Sequence, residues 1–176
     1  MWFVELVHND LKDHSFHNHL REYLPKFLPK VNHEIIDDIF IDFSFIGDKE
    51  VGYLYSIEIK YKDIYAAQCI IEDISLDTKY DSLKNACKTI DYNFGFRLRM
   101  IKIKSINVNN NLDLHILQTS LLILERLLSE YFDAIIVERD IIDDLYADIL
   151  KGVSKTYGFE ISHEGKQYFG MLYPTI

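Results

Sequence analysis

Three histidines stand close together near the start of the chain, in the order His14-x-x-His17-x-His19, with His8, Asp10 and Glu22 nearby. On a helix, His14 and His17 lie one turn apart and Asp10 falls four residues before His14, so imidazole and carboxylate groups share a face that suits a divalent cation. His19 projects from another side and no His-Glu-x-x-His spacing occurs, so the expectation is a polar helix face and no metal. Cys69 and Cys87 have neither metal spacing nor a disulfide framework, and each reads as a small core residue. No Gly-x-Ser-x-Gly elbow is present, and Ser44, Ser56 and Ser105 have no suggestive neighbours. Neither a Gly-x-Gly-x-x-Gly nor a Gly-x-x-x-x-Gly-Lys-Ser loop supports nucleotide binding. Carboxylates come in adjacent pairs (Asp37 and Asp38, Glu72 and Asp73, Asp143 and Asp144), a pattern that ordinarily marks solvated turns and helix starts.

The elements that must position these groups can be read from periodicity. Residues 2–7 read as a short first strand, after which Asp13 or Ser15 caps a helix running toward Tyr23, with Pro25 and Pro29 stopping or kinking it. Ile39, Ile41, Phe43 and Phe45 alternate with more polar positions, then Gly47-Asp48-Lys49-Glu50 forms a hairpin turn. The clearest period-two run is Val51 through Tyr61, and a further strand over 64–71 completes a meander. Residues 78–90 read as helical and 98–108 as a strand. Asn109, Asn110, Asn111 and Asp113 are good N-cap types. Leu114, Leu117, Leu121, Leu124, Leu128 and Tyr131 then recur at spacings of three and four, the strongest helix signal in the chain. A buried strand at 134–137, a helix capped by Asp140 and ended by Gly158, and a hairpin of 159–162 with 167–173 complete the order.

Length and composition set the class. The 176 residues, 48% hydrophobic and 14% aromatic, suit one folded domain with a packed core. The seven glycines and three prolines disfavour a turn-rich all-β fold. A net charge of −9 disfavours non-specific nucleic-acid binding, which needs Lys and Arg against phosphates. The densest basic stretch, Arg97, Arg99, Lys102 and Lys104, reads as solvated charge on a strand. No basic leader or run of about 20 apolar residues occurs, so a soluble cytoplasmic protein with no membrane association is the expectation.

The order from Leu98 onward resembles the second half of the GCN5-related N-acetyltransferase (GNAT) superfamily. The stretch Val108-Asn109-Asn110-Asn111-Leu112-Asp113-Leu114-His115-Ile116-Leu117-Gln118-Thr119-Ser120-Leu121-Leu122 lies without gaps on that family's strand end, loop and helix start. Tyr131-Phe132-Asp133-Ala134-Ile135-Ile136-Val137 resembles the entry to its next strand, and Tyr157-Gly158-Phe159-Glu160 the ending of its last helix. The resemblance implies an α/β (α+β) fold with a mixed, mostly antiparallel central sheet, an N-terminal meander and flanking helices, acyltransferase-like. It implies acetyl-CoA as cofactor, with an amine of a small molecule or protein as acceptor. Ile106, Asn107 and Val108 would offer backbone to the pantetheine arm, and Asn110, Asn111, Leu112 and Asp113 would lie by the pyrophosphate. Tyr146 or Tyr157 would protonate the departing thiolate, and Glu58 would help deprotonate the amine.

The chain departs from the family's pattern at marked places. Leu114, Ile116 and Gln118 stand at the family's glycine positions, Asp113 where a basic residue is common, and Ser154 where its tyrosine acid is frequent. Tyr146 is two helical turns earlier, and the stretch 73–96 is long for a connection between consecutive strands of that fold. These departures favour a second reading: an acidic, non-enzymatic protein-binding module (an inhibitor, immunity or mobile-element protein) steered to a basic partner surface. Under either reading, homodimerisation through aromatic residues of the meander is an expectation. The backbone between Val108 and Leu114 separates the two. Splayed strands with an open cleft would support a ligand site, and a loop plugged by Leu112 and Leu114 would close it.

Overall fold

The computed structural model describes residues 2–27, 34–47, 53–82, 84–85, 99–132, 134–138, 160–164 and 167–171. The alternating runs become the strands β1 (Ile39–Phe45), β2 (Leu54–Tyr61) and β3 (Ile64–Asp73), and β4 (Met100–Val108) joins them. β5 (Ala134–Glu138), β6 (Glu160–Glu164) and β7 (Gln167–Met171) extend the sheet in the order β1-β2-β3-β4-β5-β7-β6. Every neighbouring pair is antiparallel except β4 with β5. The architecture is α+β, a mixed and mostly antiparallel sheet with flanking helices.

Period-two burial explains the meander. Ile39, Ile41 and Phe43 of β1 are buried and register with Tyr61, Ile59 and Ile57 of β2. Cys69 and Ile71 of β3 continue that face, as do Ile101 and Ile103 of β4. The opposite face is more polar: Asp42, Glu58, Gln68 and Asn107 register with one another across four strands.

Helices cover the apolar face. Residues 2–7 begin a helix, α1 (Trp2–Lys12), where a strand was expected. The three- and four-residue spacing of Val4, Val7 and Leu11 outweighs the strand propensity of so short a run, and Val7 and Leu11 pack on the core. His14, at φ 61, turns the chain into α2 (Ser15–Phe27). The Asp13 carboxylate accepts from the Ser15 amide at 2.9 Å, which holds its carboxyl below the usual range. α2 passes through Pro25, whose missing N–H forgoes a single bond in the last turn. Pro29 and the turn positions Asp48, Lys49 and Glu50 lie outside the described residues. A short α3 (Glu34–Asp37) leads into β1.

The strongest helix signal is α4 (Leu114–Tyr131), capped at its start by Asp113. Its contact surface is wider than the expected stripe, because residues 119–124 are all buried. Helices apolar all round belong in an interior. Buried Thr119 and Ser120 satisfy their hydroxyls by donating to the carbonyls of His115 and Ile116, each at 2.8 Å. At the other end of α4 the Tyr131 hydroxyl donates to Asp10 Oδ2 at 2.6 Å, and burial pushes that hydroxyl's pKa well up, with the Asp10 bond adding to it. Of the expected helix over 78–90, Thr78–Tyr80 is a 3-10 turn capped by Asp77, residues 81–82 and 84–85 are helical, and the rest lie outside the described residues. The expected helix between β5 and β6 also lies outside them.

Tyr131→Phe removes the donor that ties α1 to α4. A hydrogen bond to a charged group is worth about 2 kcal/mol, so urea unfolding should show a lower midpoint with an unchanged slope.

Candidate functional site

Strand β4 does not keep one alternation along its length. Ile101 and Ile103 face the core, then two residues instead of one pass before Ile106, and Ile106 and Val108 continue the apolar side. The register shows why: Ile70 pairs with Ser105 and Ile71 with Ile103, so Lys104 is an extra residue on β4. A bulge of this kind bends the strand and re-aims the residues beyond it.

Parallel pairing with β5 ends at the same place. It runs from Met100 with Ala134 to Ile103 with Val137 and goes no further, although β5 continues to Glu138, which pairs with Gln167 of β7. β4 meanwhile stays on β3 as far as Val108 with Ala67. Beyond Lys104 the two central strands have parted among the described residues.

The direction of the exposed backbone is set by alternation. The Asn109 amide donates to the Ala66 carbonyl at 2.9 Å, so position 109 faces β3. Backbone groups of successive strand residues point to opposite edges. Asn107 therefore faces β3 as well, and its carbonyl also accepts from the Tyr65 hydroxyl at 2.9 Å. Ile106 and Val108 turn their N–H and C=O to the opposite edge, away from β3, where β5 gives them no partner among the described residues. Their side chains pack against the core, so that edge is held from behind.

The loop after β4 is compact. Asn109 Oδ1 accepts from the Asn111 amide at 3.1 Å, and the Leu112 amide donates to the Asn109 carbonyl at 3.1 Å. Asn110 and Asn111 are exposed, Leu112 is half-buried, and Leu114 is 58% exposed, so Leu114 does not close over the strand end. Asp113, and not one of the asparagines, caps α4, accepting from the His115 amide at 2.8 Å. The open edge thus fits an extended chain bearing amides, such as a pantetheine arm. The helix start fits a pyrophosphate poorly, because a carboxylate already occupies it.

Glu58 lies on β2, on the polar face and two strands from β4, which is about 10 Å at the usual strand spacing. It is within 3.5 Å of Lys60 Nζ. Tyr146 and Tyr157 lie outside the described residues. Two residues that contact the β4 end, Tyr65 and Asn109, were not picked out as site residues by sequence. The bulge did leave a sequence signal, the three-residue step from Ile103 to Ile106.

The histidine cluster lies elsewhere. His14, His17 and Arg21 line a cleft of ≈ 430 Å³ with Asp37, Asp38 and Lys62, beside the start of β1. His17 is nearly buried and its Nε2 lies 3.2 Å from the Ile39 carbonyl. That geometry makes Nε2 the donor, and Nδ1 has no hydrogen-bond partner among the described residues. Burial lowers the His17 pKa, with the Ile39 bond opposing. His19 points away to Glu130 at 3.0 Å, so the three imidazoles do not converge. Among the described residues no group of three or more His, Cys, Asp or Glu is placed to hold a metal ion.

No protein-family model matches the chain, and no curated protein does. Among solved structures it is similar to FeeM, an N-acyl amino acid synthase from uncultured soil microbes, at TM-score 0.39 and 9% identity, over 92% of this chain and 85% of that one. Identity so low leaves no side chain to carry across. No helix among the described residues is long and apolar enough to cross a membrane.

A His17 pKa below its ordinary 6.5 means that the folded state binds this proton less readily than the unfolded state. The stability it contributes is full above pH 6.5 and is lost as pH falls below that value. His17→Gln keeps a donor for Ile39 and cannot titrate, so its unfolding free energy should decline less between pH 7.5 and 5.5 than that of the wild type in denaturant titrations.

Proposed function

We propose that this chain binds a pantetheine thioester along the open edge of β4 and transfers its acyl group to an amine, with acetyl-CoA as the simplest donor. The parting of β4 from β5 at Lys104 carries this reading. Ile106 and Val108 would pair with the amides of the arm as a short added strand does. Asn110, Asn111 and Leu112 would flank its far end, with Asp113 beside them.

When bound, the thioester supplies an activated carbonyl with a thiolate leaving group. The chain's part is to hold the arm extended, to seat the amine and to manage its proton. At two strands' distance from β4, Glu58 would take that proton through intervening water. Tyr146 or Tyr157 is the proposed acid for the thiolate. The acceptor class stays broad: a small-molecule or protein amine.

Asp113 favours a second reading, in which the scaffold is retained as an acidic binding module for a basic protein and the pyrophosphate contact has been lost. A cytoplasmic location, absence of nucleic-acid and membrane partners, and a homodimer are compatible with both readings.

Thermal melting with S-acetylpantetheine and with acetyl-CoA tests the first reading, because a ligand at a hundred times its Kd stabilises the native state by about 2.7 kcal/mol. The melting temperature should rise with both donors, and a flat response to both at millimolar concentration would sink the acyl-transfer reading. Asp113→Asn keeps the cap and removes the charge. Its affinity for acetyl-CoA should improve about two- to fivefold, the range of a charge at a helix terminus, while its affinity for S-acetylpantetheine stays unchanged.

A further inference from the structure

Beyond Lys104, β3 is the strand that β4 pairs with among the described residues, and the strand end that would hold a ligand rests on that pairing. Strand ends of this kind open locally at little cost. Three bonds gather at this one. The Asn109 amide donates to the Ala66 carbonyl, Asn109 Nδ2 donates to the Tyr65 carbonyl, and the Tyr65 hydroxyl donates to the Asn107 carbonyl, each at 2.9 Å.

The two side chains form a reciprocal clasp, each donating to the backbone of the other strand. Asn109 Oδ1 is engaged as well, by the Asn111 amide, so both ends of that amide are used and its orientation is set. β3 contributes a bulge of its own: Ile59 pairs with Ala67 and Lys60 with Tyr65, which leaves Ala66 as the extra residue next to the clasp. Burial and the charge of Glu58 raise the Tyr65 pKa, so the hydroxyl keeps the proton it donates. Every bond of the clasp lies on the β3 side, and none engages the opposite edge.

We infer that Tyr65 and Asn109 are positioning residues: they hold the last residues of β4 against β3 so that Ile106 and Val108 present a straight, preformed edge to an extended amide-bearing ligand. This rests on the donor-binding reading above. Single hydrogen bonds at a partly exposed strand end add little to global stability. A binding edge has a stricter requirement, because its donors and acceptors must be held to within about 0.5 Å. The clasp therefore matters more to binding than to folding.

The test compares the wild type with Tyr65→Phe, Asn109→Asp and Ser75→Ala, using S-acetylpantetheine as the probe. Tyr65→Phe removes the hydroxyl donor. Asn109→Asp keeps an oxygen for the Asn111 amide and loses the donor to Tyr65. Ser75→Ala is the control: it breaks a comparable bond, from the Met100 amide to Ser75 Oγ at 2.9 Å, at the end of β4 that β5 still pairs. The two clasp variants should bind the probe about three- to tenfold more weakly, the worth of one net hydrogen bond. Their melting temperatures should fall by less than about 4 °C, and their Asn107 and Asn109 amides should exchange faster with solvent. Ser75→Ala should bind as the wild type does. Unchanged affinity in both clasp variants, or an equal loss in Ser75→Ala, overturns the positioning role while leaving donor binding in place. A wild type that does not bind the probe overturns the donor-binding reading, and the positioning role falls with it.

Discussion

Backbone N–H and C=O groups inside a sheet are obliged to find partners, and among the described residues β4 has a strand partner on both sides from Met100 to Ile103. From Lys104 onward one edge is without a strand partner among the described residues: the bulge bends β4 with β3 while β5 keeps company with β7. The candidate site is this shortfall. A splay between neighbouring strands places a row of donors and acceptors within the sheet, flanked on one side by an intact ladder, where an extended ligand can act as the missing strand.

The rest of the fold keeps that edge rigid. The partly buried side chains of Ile106 and Val108 pack against the core, which opposes rotation of the backbone they carry. α4 covers this core and follows β4 after a five-residue loop, which brings its capped N-terminus next to the end of β4. At its far end α4 is tied to α1 through Tyr131 and Asp10, and to α2 through Glu130, which sits between His19 and Arg126. Burial raises the Glu130 carboxyl pKa while Arg126 and His19 pull it back, so this contact joins the helices at the cost of desolvating a charge.

Electrostatics narrows what the edge can hold. The chain carries a net charge of −9, and a carboxylate occupies the helix start nearest the edge. A neutral amide arm suits such a place, and a pyrophosphate suits it less. The polar row of Asp42, Glu58, Gln68 and Asn107 runs to the same strand and gives that face its hydrophilic character.

Periodicity is a local property, so the alternating strands and the long α4 could be read from the chain, and so could Asp113 as a good cap. The same local reasoning failed at residues 2–7, where a short apolar run fits strand and helix alike and packing on the core decided for helix. The amino-acid sequence determined which segments form elements and which of their faces are apolar. Tertiary structure decided that β4 pairs in parallel with β5 from Met100 to Ile103, that Ile106 and Val108 face away from β3 while Asn107 faces it, and that Tyr65 and Asn109 meet across 44 residues. Those outcomes depend on which strands become neighbours and where a bulge shifts their register, and both are set by hydrogen bonds between segments distant in the chain.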